Sequence, residues 1–586
     1  MKKDVKRLCK RLLALLIVAT VVFAVACSSK DTADTAPAGG GGTTQSGSGG
    51  SDSAPAGGGG GGDSAPAGGG ETSGGGDAQG GAPAGAAGIP ELVVCVGPDP
   101  DTIDPALNSS VDGATLILHG FEGLYSLDKN GIPVPGQAES VDVSDDGTVY
   151  TFHLRNGLKW SDGSPLTASD FVYSWNRAID PDTAADYEYM FDVIIGYEDE
   201  HLAVTAINDL TLEVKLIART PYFLELTAFP VYYPVNRAVV EANGEAWAIN
   251  PATYVGNGSY RMVEWVPGSH IAYEKNPNYW NVGATGPERI KFILMDDDNA
   301  KLAAYNSGDL SYIDRVPVDE IEALRNNSDF YIEGQLGTYY VSFNVQEYPL
   351  NDVRVREALT LAIDRDFITK NIGQAGQINA AGFVAEGISD AAPGSSFRAV
   401  GGDYYDPSPA GYQANLARAK ALIEEVFPDG KVPTMEYIYN TSTGHQLIAE
   451  ALQSMWASIG VNVTLESQEW AVFLNTRKNG EYQIARNGWL NDYNDPIGML
   501  DMWVTDGGNN DAQWSNARYD ELIAQVKSTP DQAQRMKMMH EMEDIIFDEW
   551  MLAPIYFYVD YFMLSDNIKG FFSSPLGYKY FMYAYE

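Results

Sequence analysis

A low-complexity tract fixes where this chain can fold. From Ser28 to Gly88 the sequence is nearly all Gly, Ser, Ala, Pro and Thr, and Asp52-Ser53-Ala54-Pro55-Ala56 returns as Asp63-Ser64-Ala65-Pro66-Ala67. Such a composition has nothing apolar to bury and cannot offset the entropy of ordering its backbone. As a flexible tether of about 60 residues it would span roughly 45 Å. All packing must come from Ile89 to Glu586, which is globular in composition and long enough for more than one core.

The residues ahead of the tract read as an address. Lys2, Lys3, Lys6, Arg7, Lys10 and Arg11 form a basic head. Leu12 to Val25 is an apolar run too short to span a bilayer comfortably, and Ala24-Val25-Ala26-Cys27 follows. That order is a secretory signal peptide over residues 1–27. The small residues before Cys27 resemble a bacterial lipobox, with Ala24 where Leu is usual. The resemblance implies that Cys27 is lipidated and becomes the new N-terminus, and lasting attachment needs more than one acyl chain. Residues 28–88 are then a spacer between membrane and domain.

The formal net charge of −41 excludes a nucleic-acid partner and fits a secreted, solvated surface. Three Cys occur. Cys9 lies in the signal and Cys27 at the lipid site. Cys95 sits in an apolar run, Leu92-Val93-Val94-Cys95-Val96. The mature domain therefore has no intrachain disulfide available, and Cys95 is expected as a buried small hydrophobe. No apolar run after the signal is long enough to span a bilayer.

Strands and helices alternate along the folded part. Leu92 to Val96 reads as a buried strand and Ala114 to Leu124 has helical spacing. Val143 to His153 reads as a hairpin turning at Ser144-Asp145-Asp146-Gly147, and Thr167 or Ser169 could cap the helix that follows. Strands are expected over 210–217, 256–265, 461–466 and 554–559. Helices are expected over 302–310, 352–364, 416–427, 446–459 and 536–547. No repeat period governs the order, which indicates α/β layers in several lobes.

One stretch has the residues of a small-molecule site. Tyr482 to Asn487 alternates like a strand and leads into Gly488-Trp489-Leu490-Asn491-Asp492-Tyr493-Asn494-Asp495-Pro496. Gly, Trp, Asn and Asp crowd there into a turn expected to lie open. A Trp beside a Gly, with a carboxylate three residues on, offers contact area and charge together. Enzyme signatures are lacking: there is no HExxH, no Walker loop, no GxSxG outside the low-complexity tract, no paired Cys, and only six His. Asp296-Asp297-Asp298-Asn299 lacks the calcium-loop pattern and reads as a solvated loop. No enzyme activity and no cofactor are expected.

Long pieces of sequence then identify a resemblance. They are GLYSLDKNGIPVPGQAES, SDDGTVYTFHLRNGLKWSDGSPLTASDFVYSWNRAIDP, GNGSYRMVEWVPGSHIAYEKNPNYW, NDVRVREALTLAIDRDFI, IGVNVTLESQEWAVFLNTRKNGEYQIARNGW and NDYNDP. In this order they resemble the peptide-binding solute receptors of ABC importers, the oligopeptide-binding (family 5) class, across essentially the whole mature domain. The resemblance implies an α/β, periplasmic-binding-protein-like two-lobed clam with an additional inserted lobe. Its mixed sheets are flanked by helices, and a hinge joins the lobes. The first lobe would comprise 89–134, 256–342 and 558–586, the inserted lobe 135–255, and the opposing lobe 343–557, with crossings near 343–345 and 556–558.

The implied function is a membrane-anchored, extracytoplasmic, monomeric receptor that binds oligopeptides in the interlobe cleft and delivers them to the importer's permease subunits. Such a receptor must read what all peptides share: backbone, ammonium and carboxylate. By resemblance, Glu122-Gly123-Leu124 and Gly488-Trp489-Leu490 contact the ligand backbone, with the two Gly allowing close approach. Asp492 pairs with the peptide ammonium, and Asp495 is structural. Arg486, Arg477 and His445 meet the ligand carboxylate, while a cation that some relatives carry within 372–381 is replaced here by Gln374, Gln377 and neutral neighbours. Trp470, Trp489 and Tyr187 or Tyr189 line side-chain pockets. The same fold could instead take a dipeptide, a metal complex, haem, an oligosaccharide or a signalling peptide.

Overall fold

Two strands of unusual length carry the architecture. The computed structural model describes residues 88–392 and 394–586, so the signal, Cys27 and the tether to residue 87 lie outside the described residues. Phe330–Phe343 and Leu552–Leu564 pair antiparallel along most of their length. Both are rich in aromatic and β-branched residues, which fill a pleated, half-buried surface well. Their ladder slips between Tyr339 and Tyr340 and, more widely, after Gly334: Gly334 faces Val559 and Thr338 faces Phe557, so residues 335–337 oppose Tyr558 alone. This is a bulge, which bends and twists a strand pair locally.

An eleven-stranded mixed sheet is built outward from this ribbon. Beyond Phe330–Phe343 come Ile484–Leu490, Met435–Asn440 and Val463–Gln468. Beyond Leu552–Leu564 come Tyr312–Ile313, Leu92–Cys95, Arg289–Ile293, His270–Lys275 and Tyr260–Val266, while Ile378–Asn379 also pairs with Leu552–Leu564. Leu92–Cys95 runs parallel to both of its neighbours, as does Met435–Asn440. Cys95 is fully buried, and burial pushes its thiol up to about 12. A separate antiparallel sheet of four strands, Ala138–Val143, Val149–Leu154, Thr211–Lys215 and Val204–Asn208, takes up most of the sequence's expected hairpin. Against it packs the helix Ala168–Ala178, whose N-terminus is closed by Asp170 accepting from the Thr167 amide at 2.8 Å.

Several sequence expectations move. The helix expected over 114–124 is Val111–Gly120, because the Ser110 hydroxyl accepts from the Gly113 amide and starts it early, and the chain turns extended at Phe121. Asp296-Asp297-Asp298-Asn299 is not a solvated loop. Asp297 caps the helix Asp298–Ser307 by accepting from the Ala300 amide at 2.8 Å, and Asp298 is buried against Lys301. The helix expected from 416 begins at Pro409, behind a Ser408 cap. Gly488-Trp489-Leu490 does not open a turn, since the strand continues through Leu490, pairing with Gly337–Tyr339.

Candidate ligand cleft

Two bare strand edges frame a cavity of about 320 Å³. Ile484–Leu490 is paired along one edge by Phe330–Phe343, but on its other edge only Ile484 and Ala485 meet Met435–Asn440. Arg486 to Leu490 are therefore free on that side, and all five line the cavity. Leu552–Leu564 is engaged on its far edge at Tyr556–Phe557 by Ile378–Asn379 and at Met563–Leu564 by Tyr312–Ile313. Tyr558 to Tyr561, in the gap between, also line the cavity. Part of the remaining wall comes from residues just past the carboxyl ends of parallel strands. Val96 and Gly97 follow Leu92–Cys95, Asp314 and Arg315 follow Tyr312–Ile313, and Thr441, Ser442, Gly444 and His445 follow Met435–Asn440. Ligands of α/β sheets collect at such ends, where loops leave the strands.

The structure brings His445, Trp470, Arg477, Arg486, Gly488, Trp489 and Leu490 together on this cavity. Asp492 and Tyr187 lie one layer behind it. The Trp489 indole donates to the Gly498 carbonyl at 2.9 Å, and its ring stands 6.0 Å from that of Tyr187. The Tyr187 hydroxyl hydrogen-bonds the Asp492 carboxylate, whose Oδ2 is buried without a partner. Burial, and secondly the nearby Asp501 charge, hold the Asp492 carboxyl well above the usual carboxylate range.

The loop carrying Asp492 is not open, as expected from its composition, but packed: Asn491, Asp492 and Asp495 are all buried. The Asn491 amide donates to Leu336 O in the strand bulge at 2.6 Å, and its side chain donates to Tyr493 O and to Asp495 O at 3.2 Å. Asp495 receives a two-pronged grip from Arg535 at 3.0 and 3.1 Å and accepts from the Ile497 amide at 3.1 Å.

Three expected contacts are relocated. Glu122, Gly123 and Leu124 do not reach the cavity. Glu122 accepts from Gln137 at 2.6 Å, Tyr279 at 2.6 Å and Trp280 at 2.7 Å, and the carbonyls of Gly123 and Leu124 are taken by the Gln137, Gly136 and Ala138 amides. Ser109 to Asp112, at the start of the Val111–Gly120 helix, form that wall instead. Gly488 does not leave room for a ligand backbone on its side-chain face, because a Cβ there would sit 2.1 Å from the Tyr558 hydroxyl. Arg477 is not a free cation: its Nε lies 3.0 Å from Asp511 Oδ2 and its Nη1 donates to Asn487 Oδ1 at 2.6 Å.

Sequence reasoning missed Asn487, Asp511, Asp186 and Arg315, all on the cavity. Asn487 Oδ1 also covers the Gly488 amide at 2.8 Å, so the free strand edge is capped by its own side chain. The available signal was the rule of parallel-strand ends, which needs strand order as well as strand position. Position was legible, order was not.

Charge on the cavity wall is mostly internally paired. Lys301 holds Asp314 at 2.9 Å and Asp298 at 3.3 Å, Lys478 holds Asp186 at 2.7 Å, and Lys579 holds Asp560. Among the described residues, Arg315 and Arg486 line the cavity with no carboxylate at ion-pair distance. Arg486 Nη2 donates to the Tyr558 hydroxyl at 3.3 Å and its guanidinium lies 5.1 Å from the centre of the Tyr339 ring. Burial, then the charges of Arg486 and Arg315, hold the His445 imidazole well below its usual range, so it is neutral.

Comparison with known proteins places this geometry. Residues 133–511 match the family model for bacterial extracellular solute-binding proteins, family 5 Middle. The chain is 34% identical over 511 residues to the oligopeptide-binding protein OppA of Bacillus subtilis, covering 83% of this chain and 91% of that one. The crystal structure of Haemophilus influenzae OppA in complex with RPPGFSPFR superposes with a TM-score of 0.80 at 29% identity, covering 85% and 99% of the two chains. The unliganded open form of the periplasmic murein tripeptide-binding protein MppA gives 0.58 at 30% identity over 86% and 99%. The described residues are thus arranged more like the peptide complex than like the open form.

Proposed function

The chain belongs to the bacterial extracellular solute-binding proteins of family 5, and on that premise we propose that it captures oligopeptides outside the cell membrane for an ABC importer. The observation that carries this reading is the bare edge of Arg486 to Leu490 along the cavity. A ligand that adds as a strand is held by main-chain hydrogen bonds, which every peptide can make. Asn487 releases the Gly488 amide to such a ligand. The ligand ammonium pairs with Asp492 once the Tyr187 hydroxyl yields its place, and the carboxylate end points toward Arg486. Trp470 and Trp489 line the side-chain pockets.

In this reading the lobes are 89–134 with 256–342 and 558–586, the inserted 135–255, which would contain the four-stranded sheet, and the opposing 343–557, and closure of the clam buries the ligand. Cys27 carries the lipid that holds the receptor at the outer face of the membrane, beside the permease that receives its cargo. Among the described residues no helix is long and apolar enough to cross a membrane. Cys27→Ser protein is expected to leave the membrane fraction, and its persistence there would assign anchoring to the signal helix.

Native mass spectrometry of the chain purified without denaturation tests the ligand class. A spread of added masses that resolves into short peptides on denaturation is the expected result. One discrete non-peptide mass, or an empty protein that ignores a peptide library, overturns it while leaving the fold intact.

A further inference from the structure

The far end of the cavity holds two guanidinium groups that the mechanism so far uses only in part. We propose that Arg315 completes, with Arg486 and His445, a cradle for the ligand's terminal carboxylate, supplying from the Tyr312–Ile313 strand end the cation that residues 372–381 lack. This rests on the peptide reading above.

Three observations carry it. The first is the charge pairing. Of the six Lys and Arg side chains on the cavity, four are tied to carboxylates of the same wall, and Arg315 and Arg486 are the two that are not. The acids nearest Arg315 in sequence and space, Asp314 and Asp298, are both held by Lys301. Arg315 still feels the charges of Asp314 and Asp298 and itself acts on Arg486, so an anion placed between the two guanidinium groups would be held by both.

The second is a set of unused donors at the same end. Arg486 Nε and His445 Nε2 are buried with no partner. The Tyr339 hydroxyl lies 3.2 Å from His445 Nδ1. We assign the hydroxyl proton to Nδ1, which puts the neutral imidazole's own proton on Nε2 and makes the orphan nitrogen a donor. Buried donors without acceptors are costly, at about 1–3 kcal/mol each, and a carboxylate satisfies several at once.

The third is position. Ile372, Gly373 and Gln377 line this same cavity, so the segment without a cation does reach the site, and Arg315 lines it as well. A guanidinium fork grips both oxygens of a carboxylate, whereas an ammonium acts as a point charge.

The test compares tripeptides ending in a free carboxylate with the same tripeptides amidated, by titration calorimetry on the full chain. The unaltered protein is expected to favour the free acid by about tenfold or more. Arg315→Gln is expected to lose about fivefold or more of that preference while amide affinity stays within about twofold, which also reports that the variant is folded. Arg315→Lys keeps the charge beside Asp298 and Asp314 but not the fork, and is expected to lose about threefold. An amidated peptide ending in Glu separates a terminal carboxylate from a side-chain one: recovery of the acid preference would move the cradle's occupant to the side chain. An acid-to-amide ratio unchanged in both variants, or no preference in the unaltered protein, overturns the proposal and leaves the peptide reading standing. Failure to bind any peptide overturns both.

Discussion

Asp492 and Asp495 are three residues apart on one loop and equally buried, yet their surroundings are opposite. The region beneath Asp495 is closed on itself. Arg535 grips both oxygens, the Ile497 amide adds a third bond, and the Arg535 guanidinium lies over the Tyr222 ring at 5.4 Å. The region around Asp492 is unfinished, with one tyrosine hydroxyl, an oxygen without a partner, and Asp501 nearby to repel it. A buried charge costs the fold unless it is paired. Where the pairing is internal the residue stays charged and holds structure, and where it is left open the carboxyl keeps its proton until something outside supplies the partner.

Removing one partner of the closed region should have the largest effect. Arg535→Ala is expected to lower unfolding free energy by about 3–5 kcal/mol, because it strands the Asp495 carboxylate, and denaturant melts check it. Asp492→Ala should do the reverse. Peptide affinity is expected to fall by about 2–5 kcal/mol in calorimetry while the thermal midpoint of the empty protein holds or rises. A drop in stability with unchanged affinity would make Asp492 a second Asp495 and dissolve the contrast.

The contrast also predicts a proton. Because the folded, empty state holds the Asp492 carboxyl above its unfolded value, stability from its protonation is present below the ordinary carboxylate range and is lost as pH rises through the raised value. An ammonium needs the ionised form, so binding expels the proton. Affinity should rise with pH from the ordinary carboxylate range upward, with up to about one proton released per peptide, and Asp492→Asn should abolish the release. Calorimetry in buffers of different ionisation enthalpy measures it. The smallest effect belongs to an exposed pair. Asp142 and His153 sit 2.8 Å apart on the surface, and Asp142→Ala should cost at most about 1 kcal/mol in the same melts. A larger loss would show that burial is not what separates the two loop carboxylates.

Much of the fold was legible because it is written in local pattern. The alternation of Val149–Leu154, the apolar Leu92–Cys95 and the spacing behind Gln532–Glu549 each located an element before its neighbours were known. What failed was long-range. Glu122-Gly123-Leu124 has the residues of a ligand-contact strand, but Gln137, Tyr279 and Trp280 arrive from distant segments and use them. Arg477 looks free in sequence until Asp511 is folded beside it, and the polar loop after Leu490 looks solvated until Arg535 and Leu336 are seen to reach it. Loop composition records which groups are polar, but not who satisfies them.

The strand bulge at residues 335–337 has a mechanical consequence. A ribbon of two strands is compliant in torsion and stiff in tension, and its compliance concentrates where the ladder is interrupted. Leu336, at that weak point, is bonded through its amide to Pro575 O and through its carbonyl to the Asn491 amide, one residue from Asp492. The interruption therefore works as an axle with a crank attached. Any torque that twists the ribbon turns the Asp492 arm with it, and a force applied to Asp492 is returned to the ribbon with the leverage of that short linkage.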